Sequence, residues 1–281
     1  MCGILGVHIK KPSLLVAKNL FRIFHNQKNR GTNGAGMALL RKGKITRVRS
    51  VTPFNLFSIG FLDFWSDVRK GDCILFHHRM PTSGGNGDRI KSNHPICDEK
   101  ENVFVIHNGV IMNNDDLYTE LIKGGHTFNT MTRKKKFTDS EIFAHLLENQ
   151  NKGIKKIVKD VSGNFALAYF YKGQNSIHLF KDVTTPMSVF NDEEDNIYFA
   201  SEFPNGGNFT APIYIKPHTA YELKGGKLIR GKKYVLPVGN TPKRKEFGNL
   251  WSWDAKYDAY KGFEDDEKME TTDYWGEEDA R

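Results

Sequence analysis

The distribution of apolar runs constrains the fold of this chain more than any other feature. Strand-like runs occur at residues 4–7, 37–40, 73–76, 103–106, 165–171, 177–180 and 197–200, mostly bounded by glycine, proline, asparagine or clusters of charge. Helical spacing appears at residues 13–25, where Leu14, Ala17, Leu20, Phe21 and Phe24 recur and Ser13 is placed to cap. It returns at residues 115–122, ending at Gly124-Gly125, and at residues 139–148. The strands arrive in groups instead of alternating one for one with helices. That order predicts an α+β protein of packed, largely antiparallel sheets covered by helices, and argues against a doubly wound parallel sheet.

The 281 residues, 38% of them hydrophobic, suffice for one large core. No run approaches the roughly 20 apolar residues that cross a bilayer, and the first residues lack the pattern of a signal peptide, so the expectation is a cytoplasmic protein with no membrane contact. A domain over residues 2–240 is expected, followed by a charged, aromatic-bearing tail over residues 241–281. Residues 254–281 hold 11 acidic and four basic side chains, so the chain's net charge of +8 divides into a basic body and an acidic tail. A basic body fits an anionic substrate or partner, nucleic acid included; it fits equally a solvated, lysine-rich surface partly neutralised by its own tail.

Three cysteines, Cys2, Cys73 and Cys97, are too few and too far apart for a disulfide framework or a thiolate metal site. Cys73 opens an apolar run and reads as core. His8, His25, His126, His145, His178 and His218 are dispersed, none at ligand spacing from another, so neither a metal nor a cofactor is expected. Cys2 stands apart. In Met1-Cys2-Gly3-Ile4-Leu5-Gly6, loss of Met1 would leave the thiol and a free α-amine on one residue. The amine's reference pKa, about 7.7 to 8.0, lies close enough to the thiol's, about 8.5, for it to serve as the base. Such a pair is an activated nucleophile without a histidine. Cysteine at this position reads also as a small buried residue of a first strand.

Four further segments carry polar chemistry. Arg30-Gly31-Thr32-Asn33-Gly34-Ala35-Gly36 is a glycine-rich loop after the first helix. His77-His78-Arg79-Met80-Pro81-Thr82-Ser83-Gly84 ends a strand at an arginine suited to clamp a carboxylate, or simply to a surface position. His107-Asn108-Gly109 reads as a strand running into a polar turn, where a side-chain amide and a glycine N–H offer two donors to an oxyanion, or as an ordinary Asn-Gly hairpin. In Thr138-Asp139-Ser140-Glu141, Asp139 can bind an ammonium, or Thr138 and Glu141 can form a capping box.

Together these pieces resemble the glutaminase domain of class II glutamine amidotransferases, which are N-terminal-nucleophile hydrolases. The matching segments, in order, are Cys2-Gly3-Ile4, the loops at residues 30–36 and 79–84, Asn93-His94-Pro95, His107-Asn108-Gly109, Asp139-Ser140-Glu141, Gly163-Asn164-Phe165-Ala166 and Ala200-Ser201-Glu202. The resemblance implies a four-layer αββα fold with two stacked, largely antiparallel sheets. It implies that Cys2 attacks the side-chain amide of L-glutamine, with Asn108 and Gly109 stabilising the oxyanion. Arg79, with Thr82 nearby, would hold the substrate carboxylate and Asp139 its ammonium; Arg30, Gly31 and His107 would support the site. Glutamate and ammonia would be the products, through a thioester.

Met80, Ser83 and Asn33 depart from the family pattern, and residues 130–136 look like an insertion ending in four consecutive cations, Arg133 to Lys136. The residues after the glutaminase region are too few for an ammonia-using domain. The expected partner is therefore a separate ammonia-accepting synthetase subunit, the alternatives being an N-terminal-cysteine amide hydrolase of another substrate or a non-catalytic basic binding module.

Overall fold

Alternation along each strand, with successive side chains facing opposite ways, explains why so many runs are apolar throughout: both faces of both sheets are covered. The computed structural model describes residues 2–27, 30–51, 68–80, 90–132 and 136–234. In chain order the elements are β1 (Gly3–His8), α1 (Leu14–Asn26), β2 (Ala35–Arg41), β3 (Lys44–Ser50), β4 (Cys73–His78), β5 (Ile96–Cys97), β6 (Val103–Ile111), α2 (Asn114–Lys123), α3 (Ser140–Leu147), α4 (Gly153–Asp160), β7 (Gly163–Tyr171), β8 (Ile177–Lys181), β9 (Ser188–Asn191), β10 (Ile197–Ala200), β11 (Ile213–Tyr214), β12 (Thr219–Lys224) and β13 (Lys227–Lys233).

One sheet has the order β11-β9-β10-β1-β4-β2-β3 and the other β13-β12-β8-β7-β6-β5, and the paired strands run antiparallel. Ile4, Ala38, Leu75, Phe104, Ile106, Ala166 and Phe170 meet in a core between the sheets. Their neighbours point outward: Leu5, Val7, Met37, Ile74 and Phe76 pack with α1, whereas Val103, Val105, Leu167 and Tyr169 pack with α2, α3 and α4. This is the four-layer αββα arrangement expected. Each large apolar side chain buried in it contributes about 1.5 to 3 kcal/mol.

Several local expectations change. The buried face of α1 is Val16, Ala17, Leu20, Ile23 and Phe24, while Leu14 and Phe21 are 67% and 47% exposed. Rows at i, i+4 and i+7 from Val16 face the sheet, and Leu14 lies off that stripe. Ser13 occupies the N-cap position but its hydroxyl donates to Glu194 instead of capping. Asn108 and Gly109 form no turn; β6 continues through them to Ile111 and pairs along its whole length with β7. Strands β3, β12 and β13 escaped prediction because their sequences, cationic in β3 and β13 and alternating in β12, lack an apolar run. Among the described residues no helix is long and apolar enough to cross a membrane. The expected tail at residues 241–281 lies outside the described residues.

Candidate active site

Strand β1 lies between β10 and β4, and the register that opposes Gly3 to His78 brings the residues after β4 beside Cys2. The Cys2 thiol is within 3.3 Å of both Met80 backbone groups, accepting from the N–H and donating to the carbonyl. Arg30 follows α1, and its own N–H donates to the Gln27 carbonyl. Its Nε donates to the Cys2 carbonyl at 2.9 Å and its Nη1 pairs with Glu202. Gly31 then crosses the main chain of Arg79 so closely that a Cβ would sit 2.5 Å from the Arg79 carbonyl carbon. Beyond it Asn33 N donates to Arg79 O, and Arg79 N to Gly34 O, so the 30–34 loop and Arg79 are held together.

The second sheet contributes β6. Asn108, 2% exposed, donates from Nδ2 to the Ser201 hydroxyl at 3.4 Å, and the same oxygen accepts the Ile4 N–H at 3.1 Å. Ser201 N in turn donates to Ile4 O. The serine thus ties the strand that carries Cys2 to the asparagine of the facing sheet. Gly109 has φ +141°, and a Cβ there would lie 2.0 Å from the Asn164 carbonyl oxygen, so only glycine fits. His107 places Nδ1 2.9 Å from the Ser140 hydroxyl, and its carbonyl accepts from His77 Nε2 at 3.0 Å.

Asp139 sits at the N-cap position of α3, 4% exposed, and its carboxylate accepts the Ile111 N–H at 3.0 Å. It therefore pins the end of β6 as well as bringing a charge to the site. The capping box is not formed: Glu141 instead accepts from the backbone N–H of Thr130 and of Asn129, and from the Thr130 hydroxyl.

Burial pushes the Cys2 thiol up, against the pull of the Met80 N–H and the Arg79 guanidinium; Asp139 pushes it further up. Burial also lowers the Arg79 pKa, while the charges of Cys2 and Asp139 support its protonated form. Arg79 and Asp139 feel one another, yet no ion pair joins them, and Arg79 has no carboxylate partner among the described residues. A buried cation and a buried anion separated in this way offer places for an anionic and a cationic group of a ligand. Burial lowers His77 to about 3 and His78 to about 4, and it lowers His94 and His107 as well, so these histidines are neutral at neutral pH.

Cys2, Arg30, Gly31, Arg79, His107, Asn108, Gly109 and Asp139 thus belong to linked segments around the start of β1 and the middle of β6. Thr82 and Ser83, with residues 81–89, lie outside the described residues, as do Arg133, Lys134 and Lys135. Ser201, Glu202, Ser140 and Asn164 acquire contacts that sequence reasoning did not assign them. The signal was present in three segments, Asp139-Ser140-Glu141, Gly163-Asn164-Phe165-Ala166 and Ala200-Ser201-Glu202, but their partners are distant in sequence. The expectation of dispersed histidines is corrected for one pair: the rings of His126 and His145 lie tilted with centroids 4.9 Å apart beside Glu99.

Comparison with known proteins agrees with the fold. The glutamine amidotransferase domain family matches residues 78–205. A glutamine–fructose-6-phosphate aminotransferase (isomerizing) of Zymomonas mobilis subsp. mobilis is 30% identical over 209 residues, covering 72% of this chain and 32% of its own. The Bartonella quintana enzyme of that name is 29% identical over 260 residues, covering 89% and 39%. The chain thus spans about a third of the length of the curated relatives it matches. Among solved structures, the glutamine phosphoribosylpyrophosphate amidotransferase of B. subtilis superposes with a TM-score of 0.63 at 17% identity, over 83% of this chain and 49% of that one. A glutamine aminotransferase class-II domain protein from Silicibacter pomeroyi superposes with a TM-score of 0.50 at 13% identity, over 83% of this chain and all of that one.

Proposed function

Because the chain carries a class II glutamine amidotransferase domain of the N-terminal-nucleophile hydrolase fold, we propose that it hydrolyses L-glutamine to glutamate and ammonia with Cys2 as nucleophile once Met1 is removed. The observation that carries this reading is the buried Cys2 thiol in the field of Asp139 and of an Arg79 that no described carboxylate pairs. Free glutamine presents a carboxylate, an ammonium and a carboxamide, and the site has a group for each.

In this reading Arg79, with Thr82, receives the α-carboxylate and Asp139 the α-ammonium, which aims the carboxamide at Cys2. The sulfur attacks the amide carbon while the thiol proton passes to the α-amine of the same residue, directly or through a water. That transfer answers the raised thiol pKa, because a neutral thiol needs a base at the moment of attack. The oxyanion is taken by Asn108 and the Gly109 N–H. An amide nitrogen has two hydrogens; Ser201 engages one of Asn108's, leaving the other for substrate. The intermediate collapses with proton return to nitrogen, ammonia leaves, and water attacks the thioester to release glutamate and restore the thiol.

Arg30 supports the site by holding the Cys2 carbonyl, Gly31 by letting the loop pass over Arg79, and His107 by linking β6 to α3 through Ser140. The ammonia goes to an acceptor on an ammonia-using synthase domain or partner.

Glutamate release by the Met1-processed protein, compared with Cys2→Ala, tests the reading. Activity lost in Cys2→Ala supports it. Hydrolysis of an acylated amine in preference to glutamine would favour another N-terminal-cysteine amidase, and no activity from a correctly processed amine would leave a binding module.

A further inference from the structure

Outside the active site, on the far side of α3, three ligand-type side chains meet from separate elements. Glu99 lies in the turn between β5 and β6, His126 follows α2, and His145 is in the last turn of α3. Their ligand atoms all lie within 4.8 Å of one another. His126 Nδ1 is 3.1 Å from Glu99 Oε1, and His145 Nδ1 is 2.8 Å from Glu99 Oε2. Glu148, one helical turn after His145, brings Oε2 within 3.7 Å of His126 Nδ1.

The second observation is an unmet demand. His145 is 3% exposed, yet its ring nitrogens form no hydrogen bond of standard geometry; Nδ1 makes only the 2.8 Å contact to the buried Oε2 of Glu99. Buried polar atoms left without partners are costly, and native proteins satisfy them with protein, water or an ion. In this cluster the atoms left short of partners are a ring nitrogen and a carboxylate oxygen facing one another, with a second imidazole alongside.

We infer that Glu99, His126 and His145, completed by Glu148, form a binding site for a first-row divalent cation of the zinc type. Two imidazoles with carboxylates suit zinc and its neighbours, and disfavour magnesium and calcium, which take oxygen ligands. In a tetrahedral zinc site ligand atoms about 2.0 Å from the metal stand about 3.3 Å apart, close to the shorter separations in this cluster. Ligation through Nδ1 turns Nε2 toward Glu141 Oε1, 3.9 Å away, a carboxylate already oriented by the Thr130 hydroxyl and N–H. Such a carboxylate behind a metal-bound histidine fixes ring orientation. Phe128, whose ring centroid is 4.7 Å from that of His145, closes the apolar side.

A metal here would clamp the β5–β6 turn and the ends of α2 and α3. It uses none of the residues that the amidase reading assigns a role. The test uses the full chain as Cys2→Ala, so that the reactive thiol cannot contribute, stripped with a chelator and titrated with zinc chloride against a chromophoric chelator. One equivalent should bind, cobalt(II) should give the visible ligand-field bands of a tetrahedral site, and zinc should raise Tm. His126→Ala and Glu99→Gln, each checked for an unchanged far-UV spectrum, should each weaken zinc binding at least about tenfold and abolish the rise in Tm. No stoichiometric zinc uptake, or uptake as tight in His126→Ala as in its parent, would overturn the site and leave a hydrated carboxylate–histidine cluster.

Discussion

Arg30 donates from Nε to the backbone carbonyl of Cys2 at 2.9 Å, so the main chain of the proposed nucleophile is fixed by a side chain 28 positions away. The same guanidinium pairs with Glu202, which directly follows the serine that joins the two sheets. Cys2 is thereby anchored from its carbonyl side and from its sulfur, where the Met80 backbone engages the thiol. A nucleophile that must meet a carbonyl carbon at a defined angle gains from such double anchoring, since misplacement by about 1 Å can cost about 100-fold in rate.

Arg30→Lys is therefore expected to lower kcat for glutamate release by about 100-fold with KM within a few-fold of the parent, because Lys cannot hold Cys2 O and Glu202 together in a planar fork. Steady-state kinetics check this. An unchanged kcat with a raised KM would place Arg30 in substrate binding instead.

Asn108→Ala should keep the fold and lose about 100- to 1000-fold in kcat, the usual cost of removing an oxyanion donor. Ser201→Ala should lose less, about 10-fold, because it removes the partner that orients Asn108 and not the donor itself. Comparison of kcat and Tm for both variants distinguishes donor from positioner; equal losses would contradict the assignment.

Arg79→Ala and Asp139→Asn should act chiefly on binding. A hydrogen bond to a charged group contributes about 1.5 to 3 kcal/mol, so each change should lower kcat/KM for glutamine about 10- to 100-fold. Asp139→Asn retains an acceptor for the Ile111 N–H, so its Tm should fall less than that of Asp139→Ala. Kinetics with glutamine and with an analogue lacking the α-amine check the role: the Asp139→Asn penalty should vanish for the analogue.

Acid should destabilise the protein through its buried histidines. His77 and His78 titrate at about 3 and about 4 in the folded chain, against about 6.5 when unfolded. Between about pH 6.5 and about pH 4 the unfolded chain binds protons that the folded chain refuses, so stability is complete above that window and falls as pH drops through it. The slope is about 1.4 kcal/mol per pH unit for each such histidine. Urea midpoints across the window measure it, and His78→Gln should flatten the slope by about one proton's worth.

Much of this architecture is legible in the order of amino acids. The runs at 73–76, 103–106 and 165–171 are apolar at every position because their strands are covered on both faces, so they stand out; β3, with its alternating cations at the sheet edge, does not. The chemistry-bearing residues Cys2, Arg79, Asn108 and Asp139 also stand out, each at the end of a readable element or within one. The turn expected at Asn108-Gly109 does not form because glycine serves there a close approach to Asn164 and a positive φ in mid-strand, and local sequence does not distinguish that need from a hairpin's.

The amino-acid order alone determined the apolar strands, three of the helical segments, the α+β class and the residue types able to attack, clamp and stabilise. Only the tertiary structure decided which of them meet: Ser201 between Ile4 and Asn108, Arg30 on the Cys2 carbonyl, and Glu99 with His126 and His145. Periodicity is a property of neighbours along the chain, whereas these meetings depend on strand register and on how two sheets and their helices stack, which is settled by burial summed over the whole core.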